Sequence, residues 1–254
     1  MPLFNADALV LRTYRYGEAD RIVVFLTCDR GKKRGVAKNA TVSRRRFGAA
    51  LEPLTRGQAT YMEREQRDLV RLDRVEPRDS PFAPAAGREA GDGAHALAHA
   101  AYFAELIDEW APDAAVNERL FRLGASVGHA LGRGGSLDAL ARYFEYWLLR
   151  LEGVYPATDV CPRCEGSLEG GAVFVSGERA YECEGCAHAG PRLSRAALAF
   201  LKTLGGLTPA QVTDRGAPAP ALRELALAHH RLIAMHLDKE LRSARVLKEL
   251  GPLS

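Results

Sequence analysis

Four of the chain's five cysteines, Cys161, Cys164, Cys183 and Cys186, lie in "CPRCEGSLEGGAVFVSGERAYECEGC" as two C-x-x-C pairs with eighteen residues between them. A C-x-x-C turn points two thiolates at one ion about 2.3 Å away, and a second such turn completes a tetrahedron. The separation falls within the roughly 15–20 residues of zinc ribbons. The intervening segment reads as a hairpin, "GAVFV" and "RAYEC" around "SGE", which returns the second pair to the first. One Zn2+ closed by four thiolates is a structural centre, because a catalytic zinc keeps a position open. The competing reading, a redox dithiol, fits less well, since neither pair sits near a βαβ pattern. His188, two residues past Cys186, is a spare ligand for a shell that four cysteines already fill. In and near the segment Glu165, Glu169, Glu178, Glu182 and Glu184 outnumber Arg163, Arg179 and Arg192. That balance argues for a role in fold or protein contact over a grip on phosphate.

A second constellation is less regular. "RGKKRGVAKNATVSRRRFG" contains Arg30, Lys32, Lys33, Arg34, Lys38, Arg44, Arg45 and Arg46 without one acidic residue. Such clustering makes a positive field that a phosphate backbone fills by releasing its counterions. Tyr14, Tyr16, Phe47 and Tyr61 are the aromatics available for base stacking. The plainer alternative is a solvated charged loop with aromatics buried in a core. No arrangement of side chains suggests reading of base edges, so the expected binding is backbone-led and tolerant of sequence.

Other features carry less. "HALAH" sets His95 and His99 one helical turn apart, but no Glu follows His95 as a zinc protease would need. His229, His230 and His236 fall in the last helical stretch, where packing or exposure is expected, and Cys28 reads as a small apolar residue. There is no phosphate-binding glycine loop, no G-x-S-x-G and no acidic cluster for catalytic Mg2+. The expectation is a protein without catalytic residues and without a small-molecule substrate.

The elements that must position these residues change character along the chain. Composition is that of a globular protein, 47% hydrophobic and 26% charged. No apolar run approaches the ~20 residues of a membrane span, and the N-terminus lacks a signal-peptide pattern. A cytoplasmic location is therefore expected, where thiols stay reduced. The net charge of +3 is unevenly divided, since residues 1–80 hold 17 Lys and Arg against 11 Asp and Glu and the rest 18 against 21. Short β-rich runs recur at 8–14, 21–27, 33–38, 57–64 and 68–75, separated by "YGEAD", "CDRGK" and "EREQRD". Five such strands predict a small barrel, an OB-fold by the commonest association with nucleic acid, with an SH3-like barrel left open. "DSPFAPAAGREAGDGA" (79–94) reads as a linker.

Beyond it the period becomes helical. Phe103, Leu106, Ile107 and Trp110 form one stripe, and Leu120, Leu123, Val127 and Leu131 another. Ser136 caps a helix carrying Leu137, Leu140, Phe144, Trp147, Leu148 and Leu151, and Ser194 caps one that stops at Gly205. The stretch from Pro220 to Gly251 predicts one long helix or a broken pair. The fold class is α+β multidomain: an N-terminal β-barrel followed by an α-helical bundle with an inserted four-cysteine zinc ribbon or knuckle. The boundaries are 1–80 for the nucleic-acid-binding barrel, 81–159 and 191–254 for the helical domain, and 160–190 for the metal insertion.

In order, "YRYGEADRIVVFLTCDRG", "VAKNATVSRRRFG", "LRLEGVYPATDVCPRC" and "HLDKELRSARVL" resemble the RecO family of bacterial recombination mediators over nearly the whole chain. The resemblance is to members that keep the four-cysteine zinc site, which others lack. Family members carry a Ser-Arg pair after the third strand, here Ser43 and Arg44; this chain runs on to Arg45 and Arg46 and has Asn39 where relatives often have glycine. The resemblance implies a nucleoid-associated protein that binds single- and double-stranded DNA and anneals complementary strands. It implies action with RecR and single-strand-binding protein so that RecA can load. It also implies that the acidic tail of single-strand-binding protein docks on the helical domain, with Arg142, Arg150, Arg231, Arg242 and Arg245 as candidate contacts. The competing class is a zinc-containing interaction adaptor with weak nucleic-acid binding, and a metal-dependent nuclease or transferase stands third.

Overall fold

The computed structural model describes residues 2–63, 68–83 and 92–251. The chain folds as two compact units, Met1–Gly134 with Leu241–Ser254, and Gly135–Glu240. Five strands, β1 (Leu3–Tyr16), β2 (Asp20–Thr27), β3 (Gly31–Ala37), β4 (Arg56–Met62) and β5 (Leu69–Asp79), belong to the first unit. They close a barrel in the order β1-β2-β3-β5-β4, with β3 and β5 parallel and every other pair antiparallel. This is the closed five-stranded order of an OB-like barrel. All five expected strands form. Residue 64 of the 57–64 run, most of the "EREQRD" turn and residues 84–91 of the expected linker lie outside the described residues.

Alternation explains the barrel's filling. Ala6, Ala8 and Val10 of β1 meet Val23 and Phe25 of β2 in the core, with Val70, Leu72 and Tyr61. Between Val10 and Arg12 the β1–β2 register slips by one residue: Val10 faces Phe25, while Arg12 faces Val24. A bulge of this kind turns every later side chain of β1 to the other face. Thr13 and Arg15 therefore share a face with the core residues, and Tyr14 and Tyr16 turn outward.

Among the described residues there are seven helices: α1 (Asp92–Trp110), α2 (Glu118–Arg133), α3 (Leu137–Leu151), α4 (Arg195–Leu204), α5 (Pro209–Arg215), α6 (Ala219–Leu237) and α7 (Arg242–Leu250). None is long and apolar enough to cross a membrane. Helices α1, α2 and α7 belong to the barrel's unit. The expected stripes Phe103, Leu106, Ile107, Trp110 and Leu120, Leu123, Val127, Leu131 are all buried. Helix α2 lies so close to β1 that a Cβ on Gly124 would meet Leu9 Cδ2 and Ile107 Cδ1 at 2.7 Å. Helix α7 is fixed to α1 through Glu105, whose carboxylate accepts from Ser243 N at 2.7 Å and from the Ser243 hydroxyl, and pairs with Arg12 at 3.0 Å.

In the second unit Ser136 and Ser194 cap α3 and α4 as the sequence predicts. The final stretch is a broken pair, because Asp238 takes a left-handed backbone (φ 53°) that ends α6. Helix α5 was not anticipated; its signature is the capping box of Thr208 and Gln211 with Pro209 in the first turn. Helix α3 is buried on nearly every side, including Arg142 and Glu145. Glu145 accepts from Arg142 at 2.8 Å and lies 2.9 Å from His229 Nδ1. A neutral His229 ring donates from Nδ1 to that carboxylate and accepts at Nε2 from Tyr155 O–H, 2.9 Å away. Burial pushes the Glu145 carboxyl up, but Arg142 and His229 outweigh it and hold it down at about 2; burial pushes the His229 imidazole down.

Candidate nucleic-acid interface and metal centre

The basic run divides into two stretches with different surroundings. Arg30, Lys32, Lys33 and Arg34 lie on and just before β3, the strand that pairs with β2 on one side and β5 on the other. Lys32 is only 8% exposed: its ammonium donates to the Asp108 carbonyl at 2.6 Å and pairs with Asp108 and Asp113 at 3.3 and 3.4 Å. Lys33 pairs with Glu63 at 2.8 Å. Arg30 stacks over Phe4 at 4.3 Å beside Asp29, and Arg34 lies 3.9 Å from Asp113. Each cation here meets a carboxylate, so the positive field of this stretch is largely cancelled at its source.

Lys38, Arg44, Arg45 and Arg46 stand in the loop between β3 and β4, and the loop is built to hold them out. Phe47 and Ala50 tuck into the barrel core with Ala40 and Leu51 packed against them. Ser43 N and Phe47 N donate to Asn39 and Ser43 carbonyls, winding the chain through tight turns. The winding starts at Asn39, whose φ of 55° lies in the left-handed region that glycine takes most easily and Asn tolerates best among other residues. Arg46 is used inside the loop: it donates to the Lys38 carbonyl at 2.6 Å and to Ser43 Oγ at 3.0 Å, with its guanidinium over Phe47. Lys38, Arg44 and Arg45 are exposed and form no ion pair among the described residues.

The loop packs on the end of the β1–β2 hairpin. Asn39 N donates to Asp20 Oδ1, and Thr41 donates twice to the Ala19 carbonyl. There Arg15 and Arg21 stand directly opposite each other across β1 and β2. The signal of this pair in the sequence is the mirrored "RY" and "DR" on either side of the Gly17-Glu18-Ala19 turn. The four candidate stacking aromatics also separate. Phe47 and Tyr61 are core residues, at 2% and 0% exposure, which corrects their place on the surface, and burial pushes the Tyr61 hydroxyl up to about 12. Tyr14 and Tyr16 are 46% and 49% exposed.

The second unit carries the cysteines. A sheet of three strands, β6 (Gly171–Val175), β7 (Ala180–Glu182) and β8 (Arg192–Ser194), has the order β7-β6-β8. The hairpin expected between the cysteine pairs is β6–β7; β8 is an addition. Its return passes so near β6 that a Cβ on Gly190 (φ 144°) would meet the Phe174 carbonyl at 2.0 Å. Below the sheet Leu168, Phe174, Tyr181 and Leu193 are buried. The ligand atoms of Cys161, Cys164, Cys183 and Cys186 all lie within 4.8 Å of one another, and Sγ of Cys164 is 3.6 Å from that of Cys183. A tetrahedron of about 2.3 Å metal–sulfur bonds has edges of about 3.8 Å, so four thiols gathered like this suit a zinc ion. His188 is not part of the cluster.

Two of the thiols show how unequally they feel one another and the backbone. Backbone N–H groups, first that of Cys183 and then those of Arg163 and Cys164, hold Cys161 down to about 6. Its neighbours Cys183 and Cys164 push Cys186 up to about 12. Four sulfurs this close share few negative charges unless a cation lies among them. Two arginines of the knuckle are paired locally, Arg163 with Glu182 and Arg192 with Glu184, both at 3.7 Å.

Comparisons with known proteins agree with this architecture. The family description "Recombination protein O N terminal" matches residues 1–81, and "Recombination protein O C terminal" matches residues 93–245. The "DNA repair protein RecO" of Anaeromyxobacter sp. (strain K) is 40% identical over 259 residues, covering 100% of this chain and 99% of the relative. Those of Geobacter sulfurreducens and Pelobacter propionicus are 34% and 30% identical, covering 98% and 96% of each chain.

Proposed function

The chain belongs to the recombination protein O family of DNA repair proteins, and on that premise we propose that it is a non-enzymatic recombination mediator that binds single- and double-stranded DNA and anneals complementary strands. What carries the proposal is the loop Lys38–Phe47, which projects Lys38, Arg44 and Arg45 with no ion pair among the described residues, whereas Arg30, Lys32, Lys33 and Arg34 each lie beside a carboxylate. Arg15 and Arg21 extend the same positive end. The nucleic-acid-binding domain in this reading is residues 1–80, with the helical parts 81–159 and 191–254 and the insertion 160–190 serving fold and partners.

Annealing needs no bond to be made or broken. Two strands held on one cationic surface meet at a raised local concentration, and the guanidinium groups screen the repulsion between their phosphates. Contacts to phosphate alone leave the bases free to pair. Zinc held by Cys161, Cys164, Cys183 and Cys186 would tie the two cysteine turns together beside β6 and β7; it supplies rigidity and no reacting position, since all four ligands are protein thiolates. By family resemblance the working partners are RecR, single-strand-binding protein and, through them, RecA, in the cytoplasm at the nucleoid.

The test is a strand-annealing assay on the full chain with two complementary labelled oligonucleotides. The proposal expects annealing faster than the spontaneous reaction, slowing steeply as salt rises, and no cleavage on adding Mg2+. Annealing at the spontaneous rate, or Mg2+-dependent cleavage, would contradict it.

A further inference from the structure

We infer that Tyr14 and Tyr16 form a stacking platform for unpaired bases, so that the barrel binds single-stranded DNA more tightly than duplex. The inference rests on the DNA binding proposed above and names the strand form that the same surface selects. Core aromatics of the barrel are hidden: Phe25, Phe47 and Tyr61 are at most 2% exposed. Tyr14 and Tyr16 instead leave about half of each side chain in solvent, although aromatic area is costly to expose.

Register explains why both rings stand together. After the bulge in β1, Tyr14 lies opposite Ile22 and Tyr16 opposite Asp20, on one outward face. Residues two apart on a strand are separated by about 6.8 Å, from a rise of about 3.4 Å per residue. Successive stacked bases are about 3.4 Å apart along a strand, so this spacing equals two base steps. At this backbone spacing two rings can receive alternate bases of a single strand or clasp one base between them. The Arg12 guanidinium donates to the Tyr14 hydroxyl at 3.3 Å and is itself held by Glu105 and Asp108, so the first ring is tethered at its far end.

The cations are placed to hold the backbone of such a strand. Arg44 and Arg45 rise from the loop whose Asn39 and Thr41 are bonded to Asp20 and Ala19, beside the position that Tyr16 faces. Phosphates drawn to these cations bring the attached bases to the rings. A duplex meets the same cations, but its bases are already stacked on one another and cannot reach an exposed ring.

The test measures affinity of the full-length chain for a single strand and for a duplex of the same length, at several salt concentrations. Tyr14→Ala with Tyr16→Ala is expected to lower single-strand affinity by roughly ten-fold or more, leaving duplex affinity and salt slope unchanged. Tyr14→Phe with Tyr16→Phe is expected to keep the single-strand preference, because stacking needs the ring and not the hydroxyl. An unchanged ratio of single-strand to duplex affinity in the alanine variant would overturn the platform, as would an equal loss on both forms. If the unaltered chain binds neither form, the DNA-binding reading itself fails and takes the platform with it.

Discussion

The β3 stretch and the β3–β4 loop share one uninterrupted basic run, yet folding gives their charges opposite uses. On the strand, Lys32 is enclosed by Asp108 and Asp113, Lys33 reaches Glu63 and Arg34 faces Asp113. On the loop, Arg46 is turned inward to brace the turns while Lys38, Arg44 and Arg45 face solvent without partners among the described residues. The lesson is that a count of cations measures neither field nor function; what matters is which carboxylates the fold brings to them. Lys32 and Asp108 are 76 positions apart in sequence, a pairing that no local pattern announces. Its role is to join β3 to α1 within one compact unit.

The largest effect is expected from the other regular motif in the chain. Cys161→Ser with Cys164→Ser should abolish stoichiometric zinc and melt the knuckle, because metal binding in such sites supplies about 10 kcal/mol or more of apparent free energy. Metal analysis and thermal unfolding check this, and DNA affinity should change little. If stability survives while DNA binding is lost, the knuckle and not the loop is the binding element.

Next in size is the anchor of the loop. Phe47→Ala removes a buried ring and should cost about 3–5 kcal/mol in denaturant unfolding, with weakened DNA binding as the loop loosens. Lys32→Ala should cost about 1.5–3 kcal/mol by removing one buried hydrogen-bonded charge, while Asp108 keeps Arg12 at 3.3 Å. It should barely alter the salt slope of DNA binding, a result that would separate a strand cation from a loop cation. A smaller and more general effect is expected with pH. Glu145 titrates at about 2 in the fold against about 4.3 unfolded, and buried His229 lies below its unfolded value of about 6.5. Both leave the unfolded chain with more protons, so stability is greatest above about pH 6.5 and falls as pH drops toward 4. A melting temperature flat between pH 7 and 4 would contradict this account of the α3–α6 network.

Much of this was legible in advance because it rests on local rules. Alternating strands, the Ser136 and Ser194 caps and the C-x-x-C spacing each depend on a few neighbouring residues, and each forms as expected. What was not legible depends on register or on long-range burial. The bulge after Val10 decides that Tyr14 and Tyr16 face outward, while Phe47, only one residue from Arg46, is driven into the core. Arg142 reads as a candidate partner contact and His229 as packed or exposed, yet both bond to Glu145 inside the fold. Helix α5 escaped because seven residues are too few for a stripe, although its capping box was visible.

Salt dependence separates a loop that grips the phosphate backbone from a strand that does not. The dissociation constant of the full-length chain for DNA is measured across a salt series for Arg44→Ala with Arg45→Ala, and separately for Arg30→Ala with Arg34→Ala. Each phosphate contact contributes about 0.9 to the slope of log affinity against log salt on duplex DNA. The loop variant should flatten that slope by about 2, whereas the strand variant should leave it nearly unchanged. An equal change in both variants, or a change in the strand variant alone, would contradict the account.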